Sequence, residues 1–126
     1  SDETLDAAEK RVYAYNRKVK EAVSGVHAIQ VQPGGVPHIM NLSFTGAKGE
    51  VVVNALGNHD IFVSTTSACA SKLKKLNETL LAMGSTQPVI EGSIRISFSS
   101  QTEEAEVDRL ITALHAVHTE IGDVLK

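Results

Sequence analysis

The stretch Ser93-Ile94-Arg95-Ile96-Ser97-Phe98 alternates without a break between apolar and polar side chains. Successive side chains of a strand point to opposite faces, so Ile94, Ile96 and Phe98 share one face and Arg95 and Ser97 the other. A strand of this kind is buried on one side only. It needs a partner layer for its apolar face, and it presents Arg95 and Ser97 to water or to a second domain.

The rest of the chain supplies that layer. Residues 3–24 carry Leu5, Ala8, Val12, Tyr15, Val19 and Ala22 at helical spacing, and Ser24-Gly25 ends the run. His27-Ala28-Ile29-Gln30-Val31-Gln32 alternates as a half-buried strand does, and Ile39-Met40-Asn41-Leu42-Ser43-Phe44 puts Met40, Leu42 and Phe44 on one face. Between them, Pro33-Gly34-Gly35-Val36-Pro37 reads as a linking loop, and no lysine motif follows that would make it a phosphate loop. A short helix is expected over 49–57, stopped by Gly57, then a strand over 61–64 and a helix over 71–83 that buries Leu73, Leu76, Leu80 and Leu81. Ser100 or Thr102 is expected to cap a last helix whose stripe is Val107, Leu110, Ile111, Leu114, Val117 and Ile121. The order α-β-β-α-β-α-β-α predicts an α+β fold, a small, mainly antiparallel sheet with helices packed on one face.

Bulk properties exclude several classes. The chain has 126 residues, enough for one modest core, and its net charge of −3 offers no bulk attraction to nucleic acid or anionic membrane. No apolar run reaches spanning length and no signal segment opens the chain, so a cytoplasmic protein is expected. One cysteine forbids an internal disulfide or a multi-cysteine zinc site. The chain opens on Ser1, and a longer natural protein is expected.

That cysteine, Cys69, sits in Ser64-Thr65-Thr66-Ser67-Ala68-Cys69-Ala70-Ser71, among small polar neighbours that would leave a thiol exposed. Lys72, Lys74 and Lys75 follow at an expected helix start, a setting that favours the thiolate, although a lone cysteine is commonly structural. Other constellations are thin. His115 and His118 stand three apart on the last helix with no third ligand in view, His59-Asp60 fits a turn more simply than a catalytic pair, and no serine-hydrolase elbow occurs. No metal site is expected.

Taken in order, Asn41-Leu42-Ser43-Phe44, Val63-Ser64-Thr65-Thr66-Ser67-Ala68-Cys69, Leu80-Leu81-Ala82-Met83-Gly84, Ser93-Ile94-Arg95-Ile96-Ser97, and Thr102-Glu103-Glu104 with Glu106-Val107-Asp108 resemble one family. It is the C-terminal small domain of cysteine desulfurases, class V aminotransferase relatives that depend on pyridoxal phosphate. The resemblance runs from about Leu5 to the C-terminus. Thr66 stands where many members have glycine, and Ser99-Ser100 where glycine and a basic residue are common.

The resemblance implies that Cys69 is the nucleophile that takes sulfur from L-cysteine as a persulfide and leaves L-alanine. It implies that Arg95 binds the substrate carboxylate. Residue chemistry suits both roles: a thiolate is the soft nucleophile sulfur transfer needs, and a guanidinium grips a carboxylate bidentately. The resemblance also implies that residues 1–126 form a single domain at the C-terminus of a longer enzyme. The large pyridoxal-phosphate-binding domain would then be missing here, and no cofactor-binding residue is expected in this segment, which alone would be inactive. The sulfur would pass to an acceptor protein for iron–sulfur cluster assembly or for tRNA or cofactor thiolation, with a homodimer expected of the full-length enzyme. Another class V aminotransferase or lyase, or a non-enzymatic binding module, stands as the alternative.

Overall fold

A computed structural model describes residues 5–32, 36–65, 82 and 92–122. Its elements are α1 (Leu5–Val23), β1 (Ile29–Val31), β2 (Ile39–Phe44), α2 (Gly49–Gly57), β3 (Ser64–Thr65), β4 (Ser93–Ser97) and α3 (Glu104–Glu120). The strands form one sheet in the order β1-β2-β4-β3, antiparallel at every pairing. The helix expected over 71–83 lies outside the described residues apart from Ala82, and so does the loop at 33–35.

The α+β architecture follows from the alternation. Met40, Leu42 and Phe44 of β2 and Ile94 and Ile96 of β4, with Phe98 beyond it, are buried against Val12, Tyr15 and Val19 of α1, Val52 and Leu56 of α2, and Val107, Leu114 and Val117 of α3. On α1 it is Val23, not Ala22, that reaches the core, and on α3 Ala113 joins the stripe while Ile111 is only partly covered.

Helices α1 and α3 lie side by side and run the same way, since their contacts ascend together. The Arg11 guanidinium donates to the Ser100 carbonyl, Lys18 Nζ reaches Asp108 Oδ1 at 2.6 Å and Glu104 Oε2 at 3.3 Å, and His118 Nε2 lies 2.7 Å from the His27 carbonyl. The hydrogen bond to Asp108, aided by Glu104, raises the Lys18 pKa.

Three local expectations are corrected. First, α2 ends at Gly57 as expected, but Gly57 itself is not the residue that terminates it. Ile61 N–H donates to the Leu56 carbonyl and Asp60 N–H to the Gly57 carbonyl, both at 3.0 Å, with Asp60 in the left-handed region at φ 62°. This is a Schellman motif, in which an aspartate, tolerant of that region, takes the place glycine often fills. Second, 61–63 is not strand. Ile61 is committed to that motif, and pairing begins only at Ser64. Third, neither Ser100 nor Thr102 caps α3. The Thr102 hydroxyl accepts from Ser99 N–H at 2.9 Å, closing a turn behind it. The helix starts after Glu103, whose N–H donates to Glu106 Oε1 at 3.0 Å, half of a capping box.

Gly92, just before β4, is required by close approach. A Cβ there would stand 2.1 Å from the Phe44 carbonyl oxygen and 2.8 Å from that of Ala47. Gly57 is open, with nothing within 4 Å of its would-be Cβ. Opposite signs are expected on chemical denaturation. Gly92→Ala should destabilise by at least about 2 kcal/mol through overpacking, while Gly57→Ala should stabilise by about 0.5–1 kcal/mol by helix propensity.

The Lys18 contacts should carry a pH signature. A raised folded-state pKa gives stabilisation that is complete below the unfolded lysine value of about 10.4 and lost as pH rises through the folded value. Lys18→Met should therefore lower the melting temperature slightly at neutral pH and low salt. The difference from the parent should close in strongly alkaline or high-salt buffer.

Candidate active site

The sheet face away from the helices is built from Gln30 and Gln32 on the β1 side, Ile39, Asn41 and Ser43 of β2, Ser93, Arg95 and Ser97 of β4, and Ser64 of β3. These alternate along the strands with the positions that fill the core, so the register that fills the core also assembles this face. Arg95 is exposed, as is Ser97, while Ile94 and Ile96 are buried. Toward one end the face is closed over: Ser43 and Ser93 are buried, and Gln32 Nε2 donates to Ser43 Oγ at 3.1 Å.

Backbone hydrogen bonds fix how Arg95 sits among its neighbours. Phe44 N–H donates to the Gly92 carbonyl at 3.0 Å, and Phe98 N–H to the His38 carbonyl at 2.7 Å. Hydrogen-bonded and non-hydrogen-bonded pairs alternate along an antiparallel ladder. Counting inward from either end, Leu42–Ile94 and Met40–Ile96 are hydrogen-bonded pairs, and Asn41–Arg95 lies between them as a non-hydrogen-bonded pair. Gln32 N–H donating to the Asn41 carbonyl at 2.8 Å agrees, because it turns Asn41's backbone groups toward β1. Arg95 directs its own backbone groups to Ser64 on β3. The guanidinium thus rises from a row Asn41–Arg95–Ser64, with Asn41 across the closer kind of pair.

On its β3 side, Arg95 borders a cleft of about 430 Å³ that Phe62, Ser64, Thr102, Glu106 and Arg109 also line. Phe62 is 83% exposed, the most exposed large apolar side chain among the described residues. It follows the Schellman motif and points away from the core that takes Ile61.

Of the two residues singled out from the sequence, Arg95 lies on the expected face, and Cys69 lies outside the described residues. Cys69 stands four residues after Thr65, the last described residue of β3. His115 is exposed, His118 is engaged by the His27 carbonyl, and His59 Nε2 pairs with Glu120 Oε1 at 2.6 Å across the α2–α3 end. Among the described residues no group of three or more His, Cys, Asp or Glu could hold a metal ion, and no helix is long and apolar enough to cross a membrane. Sequence reading missed Asn41 and Ser64 as neighbours of Arg95. They lie 54 and 31 residues before it, and only strand register brings them together.

Comparison with known proteins gives the family and the fold. The sequence pattern of the aminotransferase class-V family matches residues 2–110. The chain belongs to the class-V aminotransferase family. A NifS/IcsS protein homolog of Lactobacillus delbrueckii subsp. bulgaricus is 31% identical over 118 residues, 90% of this chain and 31% of that protein. The cysteine desulfurase IscS of Pseudomonas putida W619 is 36% identical over 107 residues, 82% of this chain and 26% of that protein. The chain therefore spans between a quarter and a third of the length of these class-V relatives. A solved NifS-like protein shares the fold with a TM-score of 0.74 at 24% identity, covering 91% of this chain and 29% of that one. A structure of the Escherichia coli cysteine desulfurase CsdA aligns with a TM-score of 0.69 at 16% identity, covering 94% and 27%.

If Arg95 serves a ligand and not the core, Arg95→Ala should change unfolding free energy by less than about 0.5 kcal/mol. Ile96→Ala, one residue on and on the opposite face, should cost about 2–5 kcal/mol. Paired denaturant titrations read both.

Proposed function

We propose that this chain is the C-terminal small domain of a pyridoxal-phosphate-dependent cysteine desulfurase. In that reading L-cysteine is converted to L-alanine, and its sulfur is carried away on Cys69. The observation that carries the reading is Arg95: an exposed guanidinium on a rigid strand, next to a cleft, on a sheet face where none of the described residues is acidic. Such a group is suited to a carboxylate supplied from outside. The names of the class-V relatives support L-cysteine as the molecule that brings it.

Pyridoxal phosphate needs a lysine for its aldehyde, an acid for its ring nitrogen and a cup for its phosphate. The described residues on the Arg95 face include neither lysine nor acid, so they do not fit the cofactor, and its anchors belong to a large domain outside these 126 residues. When bound, the cofactor supplies the electron sink of the reaction. This chain contributes two things.

Arg95 clamps the substrate carboxylate with two parallel N–H···O bonds, fixing the amino acid against rotation about that end. Cys69, as thiolate, attacks the substrate sulfur. An S–S bond forms while the carbon–sulfur bond breaks, and the released electron pair stays on the carbon, which takes a proton to become the methyl group of alanine. Cys69 is left as a persulfide, whose outer sulfur passes to an acceptor protein by thiol exchange. Delivery to iron–sulfur cluster assembly or to tRNA or cofactor thiolation follows from that role. A homodimer in the cytoplasm is the form proposed for the whole enzyme.

Two variants of the full-length enzyme separate the roles. Arg95→Ala should weaken L-cysteine binding by about 1.5–3 kcal/mol, the range for hydrogen bonds to charged groups, and Arg95→Lys should restore only part of it. Cys69→Ala should leave substrate binding largely intact and abolish persulfide formation. Cofactor absorbance during cysteine titration reads the first, and sulfide and alanine release read the second. Normal binding in the arginine variant overturns its role. Full-rate sulfide release without Cys69 points to another class-V chemistry in which the cysteine is incidental.

A further inference from the structure

We infer that Asn41 is a positioning residue for Arg95: its amide orients the guanidinium toward an incoming carboxylate while leaving the full positive charge available to it. The inference rests on the carboxylate-binding reading of Arg95 and extends it to a residue on another strand.

Asn41 faces Arg95 in a non-hydrogen-bonded antiparallel pair. In such pairs the Cα atoms approach to about 4.5 Å and the side chains stand closer than in the alternate kind. Both lie on the sheet face away from the helices, and Asn41 is half-buried while Arg95 is exposed. The backbone of Asn41 is fixed from its other side by the Gln32 N–H, so the amide springs from an anchored point in the sheet interior.

A guanidinium carries five N–H donors, and a bidentate carboxylate takes two of them. The others need acceptors if the fork is to stay in one orientation. The register sets an acceptor on either side of Arg95, the Asn41 carbonyl oxygen on β2 and the Ser64 hydroxyl on β3. Both are neutral. A carboxylate at either position would hold the arginine equally well but would neutralise it and compete with the ligand. An apolar side chain would hold it not at all. Among the described residues of this face, glutamine, asparagine and serine recur and no acid does; the acids near Arg95, Asp60 and Glu106, line the cleft on its β3 side instead.

The test uses the full-length enzyme and two substrates, L-cysteine and L-cysteine methyl ester, which lacks the carboxylate charge. The readout is the ratio of their kcat/KM values. Asn41→Asp should lower that ratio about tenfold or more, through a rise in KM for L-cysteine, since the new acid occupies the guanidinium. Asn41→Ala should lower it by a smaller factor, and Asn41→Ser, which returns a hydroxyl, should lie between alanine and the parent.

A purely structural role for Asn41 would depress both substrates alike and leave the ratio unmoved, and that result overturns the inference. Should the aspartate variant fail to fold, the alanine and serine variants decide in the same way. Arg95→Ala runs alongside. If it leaves the ratio unchanged, the carboxylate-binding reading itself is wrong. If it collapses the ratio while the Asn41 variants do not, only the positioning role fails.

Discussion

The pairing of β2 with β4 is the constraint on which the molecule rests. It is pinned at one end by Phe44 N–H on the Gly92 carbonyl and at the other by Phe98 N–H on the His38 carbonyl. Between these bonds every residue has a fixed face. A slip of one residue would turn Ile94 and Ile96 to solvent and drive Arg95 among Val12, Val52 and Leu114. Burying an unpaired guanidinium is far costlier than losing any single apolar contact. The placement of the arginine and the filling of the core are therefore one requirement. The close approach at Gly92 belongs to it too, because any side chain there would push the two strands apart at the end that sets the count.

The elements with strong internal periodicity could be read directly. Strand 39–44, the alternation at Ser93–Ser97 and helices α1 and α3 are written in the spacing of their own side chains, and the burial of Ile94 against the exposure of Arg95 needed no other information. The short pieces could not be read this way. Ile61-Phe62-Val63 is apolar and β-branched enough to suggest a strand, but the end of α2 claims Ile61 through the Schellman bond to Leu56, and Phe62 is left outside. Competition between neighbouring hydrogen-bond acceptors decides such places, and residue type alone does not rank the competitors. Thr102 shows the same thing: it is a good cap by composition, yet its hydroxyl is taken by Ser99 N–H.

The candidate site was legible in one residue and hidden in its surroundings. Arg95 stands out because a charge in an alternating strand must face away from the core. Nothing local marks Asn41 or Ser64 as its neighbours, because cross-strand proximity depends on pairing partner and register, and both are tertiary properties. Asn41 was visible only as part of a shared motif. Its physical meaning, a neutral acceptor across the close kind of pair, comes from the hydrogen-bond count along the ladder.

The sheet also divides the charges of the domain. On the helix side several are paired: Lys18 with Asp108 and Glu104, and Lys10 with Asp6 along α1, while His59 is hydrogen-bonded to Glu120. These pairs are exposed, so their worth is small, but each leaves little net field. On the opposite face the described residues present one cation among neutral amides and hydroxyls. Bound water and mobile ions screen an exposed guanidinium cheaply, so the domain tolerates it alone. Covering that face with a second domain would strip away much of the screening and strengthen any charge-assisted bond to a carboxylate lodged there. A cation on a rigid, anchored strand, with no ion pair among the described residues, thus costs the isolated domain little and gains its value when the face is closed.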